Sequence, residues 1–298
     1  MIQHHYADLP EIRMHYVTAG EGEPVLFLHG FLEYWGVWKG LIEDLSRDYR
    51  TIAPDLRGYN LTSRPEGVEA YRIERLVGDV KALLDHLGLH KIRLVAQDWG
   101  AILAWCFLLR HREYVERFAV IDITHPHLFD EALRHDPAQQ QASQYMLLLL
   151  TPAAEEQCLR DDFAVGREAV FEDARRHGAD LPDELIAEWI AAWRQPGAMT
   201  AGLNWYRAAE MGPPDGKGSP GGSNLLERLG IGPDRYRVEI PVLVLWGEED
   251  PHLLQSGLDR LHRYVPDLHI RKIPGATHWV TLEKTEIVAR SLREHFRR

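Results

Sequence analysis

The 298-residue chain has only two cysteines, no excess of positive charge, and no apolar run near the ~18 residues that span a membrane. Each absence removes a class of function. Cys106 and Cys158 lie in separate helical segments and supply no disulfide framework, which points to a reducing compartment and to the cytoplasm. Residues 1–10 lack an apolar signal segment, so no membrane partner is expected. Thirty-four Lys and Arg against 45 Asp and Glu leave a formal net charge of −11, which does not suit a phosphate-binding surface, and no nucleic-acid partner is expected. His4-His5 and His125-Pro126-His127 lack zinc-ligand spacing. The dinucleotide-like run Gly216–Gly221 follows no strand and contains Pro220. Neither a metal nor an organic cofactor is expected.

What is there is a globular composition, 45% hydrophobic and 27% charged, large enough for one domain with an insertion. Short β-rich segments at Ile12–Thr18, Pro24–His29, Thr51–Pro54, Ile92–Ala96, Phe118–Ile123, Val242–Trp246 and His269–Ile273 alternate with helical patterns. The alternation predicts an α/β fold, a mostly parallel sheet flanked by helices. Apolar residues from Ile73 to Leu87 recur at helical spacing and stop at Gly88, and Ala101–Leu109 is apolar all round, as a packed central helix is. The interval between Ile123 and Val242 is too long for one crossover helix. It predicts an inserted helical lid at 124–240, with a core of 1–123 and 241–298. Within the lid, Asp130–Leu150, Ala153–His177 and Pro182–Trp193 read as helices, and the Pro- and Gly-rich stretch Met211–Gly222 as a loop.

The chain also lacks a serine where one is usual. Leu94-Val95-Ala96-Gln97-Asp98-Trp99-Gly100 is a strand running into a sharp turn, with small residues Ala96 and Gly100 on either side of the central position. A serine at that centre needs a base to remove its proton; Asp98 is already ionised at neutral pH and can attack an sp3 carbon directly, forming an alkyl ester. Epoxides and alkyl halides are the fitting electrophiles. The other reading of Asp98 is an N-cap. Three further features bear on the choice. After the strand ending at Leu28, His29-Gly30-Phe31 lets the Phe31 N–H join that of Trp99 as an oxyanion hole. Asp250 follows the penultimate strand, and His278 follows the last one. Nucleophile, acid, histidine is the chain order of the α/β-hydrolase triad.

With these motifs the chain resembles the epoxide hydrolases of the α/β-hydrolase superfamily over nearly its whole length. The resemblance rests on His29-Gly30-Phe31, Asp55-Leu56-Arg57-Gly58-Tyr59, Gln97-Asp98-Trp99-Gly100, Leu203-Asn204-Trp205-Tyr206-Arg207 and Gly275-Ala276-Thr277-His278-Trp279. It implies that Tyr206 hangs from the lid over the nucleophile and donates to the epoxide oxygen, a role a phenol of pKa ~10 can fill for a developing alkoxide. It implies a two-step hydrolysis of a small apolar epoxide to a vicinal diol, in which Asp98 forms the ester and His278, oriented by Asp250, activates water. The family often has a second lid tyrosine, for which Tyr145 is the nearby candidate. Leu32 stands where a proline usually follows the oxyanion residue. Asp122, 24 residues beyond Asp98, occupies an offset at which some related dehalogenases carry their acid, and is the alternative to Asp250. Haloalkane dehalogenase is the rival activity, although Phe31 replaces the asparagine that often binds halide there. A non-catalytic lidded ligand-binding protein is the third reading. A homodimer remains open.

Overall fold

The computed structural model describes residues 1–298. Eight strands form one sheet: β1 (Gln3–Asp8), β2 (Arg13–Ala19), β3 (Pro24–Leu28), β4 (Arg50–Pro54), β5 (Ile92–Gln97), β6 (Val115–Ile121), β7 (Val242–Gly247) and β8 (Leu268–Ile273). Their order across the sheet is β1-β2-β4-β3-β5-β6-β7-β8. Pairing is antiparallel from β1 through β2 to β4 and parallel from there on. Seven of these strands match the expected segments; β1 was not anticipated. It buries only Ala7 of its six residues, so it lacks the apolar signature by which strands are read. The parallel strands β3, β5, β6 and β7 are buried almost end to end, as strands covered on both faces are.

Five helices lie outside the long insertion: α1 (Lys39–Leu45), α2 (Ile73–His86), α3 (Asp98–Arg110) and, at the far end of the chain, a short helix over Val280–Glu283 and a longer one over Thr285–Phe296. α2 ends one residue before the expected Leu87, with Gly88 at φ +65° closing it. α3 is buried over Trp99–Leu109 and starts on Asp98 itself.

Between β6 and β7 the chain is helical: α4 (Pro126–His135), α5 (Pro137–Ala142), α6 (Gln144–Leu149), α7 (Ala154–Arg167), α8 (Asp173–Arg176), α9 (Asp183–Trp193), α10 (Ala198–Ala209) and α11 (Leu225–Arg228). The single helix expected over Asp130–Leu150 is three. Pro137 cannot continue α4 but suits the first turn of α5, which Asp136 caps by accepting the Ala138 N–H at 3.0 Å. The pattern Ala153–His177 is likewise broken, because Asp161, Asp162 and Phe163 are left-handed at φ +50°, +55° and +65°. Asp162 holds that turn by accepting from Arg167 and Arg194, each at 2.5 Å. A π-helical stretch at Glu168–Glu172 then leads into α8. Helix α10 was not anticipated as an element, although the sequence reading had singled out the residues it carries. The Met211–Gly222 loop is closed by a bridge between Gly212 and Gly222.

The ends of β3, β5, β7 and β8 meet below this insertion, and one contact sets their spacing. A Cβ on Gly100 would lie 2.2 Å from the Leu28 carbonyl oxygen and 2.4 Å from that of His29, so α3 approaches β3 as closely as glycine alone permits. Gly100→Ala is therefore expected to destabilise the fold by about 2 kcal/mol or more, the upper part of the range for overpacking. A urea-unfolding midpoint equal to that of the parent chain would contradict this account.

Candidate active site

Asp98 sits where β5 turns into α3, with φ +49°, a left-handed conformation that non-glycine residues adopt only where the surroundings impose it. That conformation lifts its carboxylate off the sheet end. Opposite it, Gly30 leaves no room for a side chain: a Cβ there would stand 2.3 Å from Asp98 Oδ1. In that gap the Phe31 N–H donates to Asp98 Oδ1 at 2.6 Å, and the Trp99 N–H is also directed at the carboxylate. The turn bearing Phe31 is tied down behind by His29. Its Nε2 accepts the Leu56 N–H at 3.0 Å while Nδ1 donates to the Gly30 carbonyl at 3.0 Å, which needs the neutral ring that burial enforces by lowering its pKa to about 4.

Leu32, in the place of the usual proline, has φ +60°, and the chain has no cis peptide bond. Its carbonyl accepts two indole N–H groups, from Trp189 at 2.5 Å and Trp193 at 2.9 Å. These tryptophans are four apart on α9 and so share a face. The insertion thus clamps the turn that carries Phe31.

His278 Nε2 is 3.5 Å from Asp98 Oδ2, and His278 Nδ1 bonds Asp250 Oδ2 at 2.8 Å. The other oxygen of Asp250 accepts the N–H groups of His252 at 2.7 Å and Leu253 at 3.0 Å. Asp122 lies behind. Asp122, Asp250 and His278 offer polar atoms within 4.8 Å of one another, but Asp122 Oδ1 accepts the Gly247 N–H at 2.7 Å and Oδ2 has no partner. Burial, then the charge of Asp250, raises its pKa well above the ordinary aspartate value and so favours its protonated form. Burial works against the charge of His278, yet Asp250 and Asp98 on its two sides raise its pKa well above 6.5. Burial likewise opposes ionisation of Asp98, and His278 with the Phe31 and Trp99 N–H groups more than offsets it.

Three consecutive residues of α10 explain how Tyr206 is placed. Successive helical side chains point about 100° apart. Trp205 donates to the Arg57 carbonyl at 3.1 Å, and Arg57 itself is locked to Asp79 by bonds of 2.7 and 2.8 Å. Arg207 faces away and grips Glu155 on α7 at 2.6 and 2.7 Å. Tyr206 between them turns to the cavity that Asp98 lines, its ring edge-on to Trp99 at 5.0 Å and to Phe31 at 5.2 Å. Tyr145, from α6, lines the same cavity as Tyr206, and burial raises the pKa of both phenols. A cavity of about 320 Å³ brings Asp98, His278, Tyr145 and Tyr206 together with apolar walls, among them Leu149, Phe163 and Met199.

The histidine pairs are engaged elsewhere. His4 bonds His15 and His5 bonds Thr18, while His125 caps α4 by accepting the His127 N–H at 3.2 Å. Sequence reasoning passed over Glu33 and His252. Glu33 is buried beneath the Phe31 turn, accepting the Gly30 N–H at 2.5 Å and Gln97 Nε2 at 2.8 Å. Its position three residues after Gly30 was the available clue. His252 lines the cavity beside His278 and was legible only as a neighbour of Asp250.

The model of the alpha/beta hydrolase fold family matches residues 23–285. Epoxide hydrolase 2 of Caenorhabditis elegans is 32% identical over 96% of this chain and 77% of its own length. The chain belongs to the epoxide hydrolases of the α/β-hydrolase family. Another similar protein, the AB hydrolase superfamily protein YfhM of Bacillus subtilis, is 33% identical over 96% of this chain and 95% of its own. The crystal structure of a Bacillus megaterium epoxide hydrolase with an inhibitor superimposes with a TM-score of 0.89 at 31% identity, covering 99% of this chain and 100% of that one.

Within this epoxide hydrolase, burial and then the charge of Asp98 push the Glu33 carboxyl up to about 8. An acid with a raised pKa keeps its proton until the pH passes that value. A component of the protonated-carboxyl infrared band that is present at pH 6, is lost between pH 7 and 9, and is missing from Glu33→Gln while the Asp122 component persists is the expected signature. Its absence at pH 6 in the parent enzyme would refute the assignment.

Proposed function

We propose that this enzyme opens a small apolar epoxide through a covalent ester on Asp98 and then hydrolyses that ester to release a vicinal diol. The observation that carries the reading is the Asp98 carboxylate placed between two backbone N–H donors and His278, with the Tyr206 and Tyr145 hydroxyls in the same apolar cavity. Residues 124–240 act as the lid and residues 1–123 with 241–298 as the core. Both thiols are free, which suits a reducing, cytoplasmic setting. No helix is long and apolar enough to cross a membrane.

In the first step an ionised Asp98 attacks an epoxide carbon while Tyr206, supported by Tyr145, gives its proton to the oxygen that leaves that carbon. The raised pKa of both phenols keeps them protonated, and so able to donate, throughout the neutral range. The oxygen of Asp98 that lies against the Phe31 N–H is then the ester carbonyl. In the second step His278, held by Asp250, takes a proton from water that attacks this carbonyl, and the Phe31 and Trp99 N–H groups stabilise the oxyanion. Ester formation also prepares the base. It removes the Asp98 charge that helps hold His278 protonated, so the imidazole becomes a proton acceptor once there is an ester to hydrolyse.

Parallel incubation with styrene oxide and 1-bromobutane, scoring diol against bromide, tests the reaction class; bromide without diol would replace this reading by dehalogenation, and no turnover of either would favour a binding protein. Asp98→Asn is expected to abolish turnover. His278→Gln is expected to accumulate enzyme heavier by one substrate mass, and wild-type turnover without such an adduct in the variant would end the covalent mechanism. Tyr206→Phe is expected to slow alkylation about 100-fold, the lower end for loss of a general acid, because Tyr145 remains. An unchanged alkylation rate in stopped-flow measurements would remove Tyr206 from ring opening.

A further inference from the structure

Proton balance exposes a requirement that the two steps leave unmet. Ring opening takes a proton from Tyr206, and ester hydrolysis puts a proton from water on His278. Epoxide plus water gives diol with no proton released. Each turnover therefore leaves one proton too many on His278 and one too few on the tyrosine pair, a balance that closes by exchange with solvent or by transfer between the two. His278 Nδ1 is committed to Asp250, so the proton leaves from Nε2.

The side chain standing between donor and acceptor is His252. Its ring is edge-on to His278 with centroids 5.9 Å apart and close to Tyr145 with centroids 5.2 Å apart, and Tyr145 and Tyr206 line the same cavity. The backbone of His252 is fixed at both ends: its N–H donates to Asp250 Oδ1 at 2.7 Å and its carbonyl accepts from Gln139 Nε2 at 2.7 Å. Both ring nitrogens are left without a protein partner, and the ring lines the cavity. The carboxylate that orients His278 therefore also positions a second imidazole beside it.

We propose that His252 is the relay that carries this proton from His278 Nε2 to the Tyr145–Tyr206 pair. The inference rests on the epoxide-hydrolase reading of Asp98, His278 and Tyr206. The step balances without a co-reactant. Because neither ring nitrogen of His252 bonds His278 or Tyr145 directly, water in the cavity bridges each gap: the His278 N–H bond breaks, a new N–H forms on one nitrogen of His252, the N–H on its other nitrogen breaks, and the phenolate becomes a phenol. His252 ends as the opposite tautomer, which proton exchange with solvent resets. Burial, together with the neighbouring charge of His278, lowers the pKa of His252 and keeps it neutral, so that one ring nitrogen accepts while the other donates. The transfer falls between the two half-reactions, because loss of the Asp98 charge on esterification is what releases the proton from His278. Its failure would strand the ester.

The test compares first-turnover alkylation with steady-state turnover of styrene oxide in His252→Phe and His252→Gln. Alkylation within twofold of the parent enzyme, turnover reduced at least tenfold, and accumulation of enzyme heavier by one substrate mass are expected in both. Free imidazole is expected to restore turnover in His252→Ala, which opens space for it. Turnover within twofold of the parent in Phe and Gln variants overturns the relay. Alkylation slowed as much as turnover, or ester accumulation that imidazole does not relieve, assigns His252 a shape-keeping role and also overturns it. A parent enzyme that forms no adduct in its His278→Gln variant fails at the earlier reading instead.

Discussion

The site depends on how closely the start of α3 lies against the end of β3. Without side chains at Gly100 and Gly30, the helix drops onto the Leu28 and His29 carbonyls and the Asp98 carboxylate comes within 2.6 Å of the Phe31 N–H. Asp98 accepts a left-handed backbone as part of this arrangement, a local strain of the order of 1–3 kcal/mol that the surrounding core must hold. The all-round burial of α3 and of β5 is what holds it. An aspartate in this turn cannot relax toward an ordinary cap without losing contact with both N–H donors.

The inserted helices complete what the sheet begins, and they do so through indole and guanidinium groups rather than through bulk packing alone. Trp189 and Trp193 converge on one carbonyl, Leu32, and thereby fix the turn whose N–H faces Asp98. Trp205 ties α10 to the Arg57 carbonyl, and Arg207 ties the same helix to α7. Movement of the insertion would shift Tyr206 and loosen the Phe31 turn together. The proposed ring-opening donor and the proposed oxyanion donor are in this way mechanically linked.

How much of this was legible depended on how local the signal was. Strands buried on both faces read directly as apolar runs, and the Gln97-Asp98-Trp99-Gly100 turn announces its shape through its small residues. β1 was invisible because an edge strand buries one residue in six and carries histidines on its outer positions. The breaks in α4–α6 and α7 turn on Pro137 and on ion pairs of Asp162 that connect residues more than thirty positions apart in one case, and no helical periodicity records such pairs. For the acid, order along the chain left Asp250 and Asp122 both available. The difference lies in what their oxygens meet, an imidazole for one and the Gly247 N–H for the other. Tyr145 was nameable, but its place in the same cavity as Tyr206 needed the fold of three short helices.

Charge explains why the proposed steps run in only one order. In the resting site His278 lies between two carboxylates and is protonated, so it cannot take a proton from water. Water in the empty cavity therefore meets an acid rather than a base, and the anionic Asp98 is free to attack carbon. Conversion of Asp98 to a neutral ester removes one of the two charges, and the same histidine becomes basic beside Asp250 alone. The upward shift of the Asp122 pKa works the same way: as an anion within 4.8 Å it would hold the imidazolium in place after the ester had formed, and its protonated form, which burial favours, does not. The buried, unpartnered oxygen of Asp122 is thus consistent with an acid kept neutral by its charged neighbour, and the sequence of the two half-reactions follows from which of three carboxyl groups carries charge at each stage.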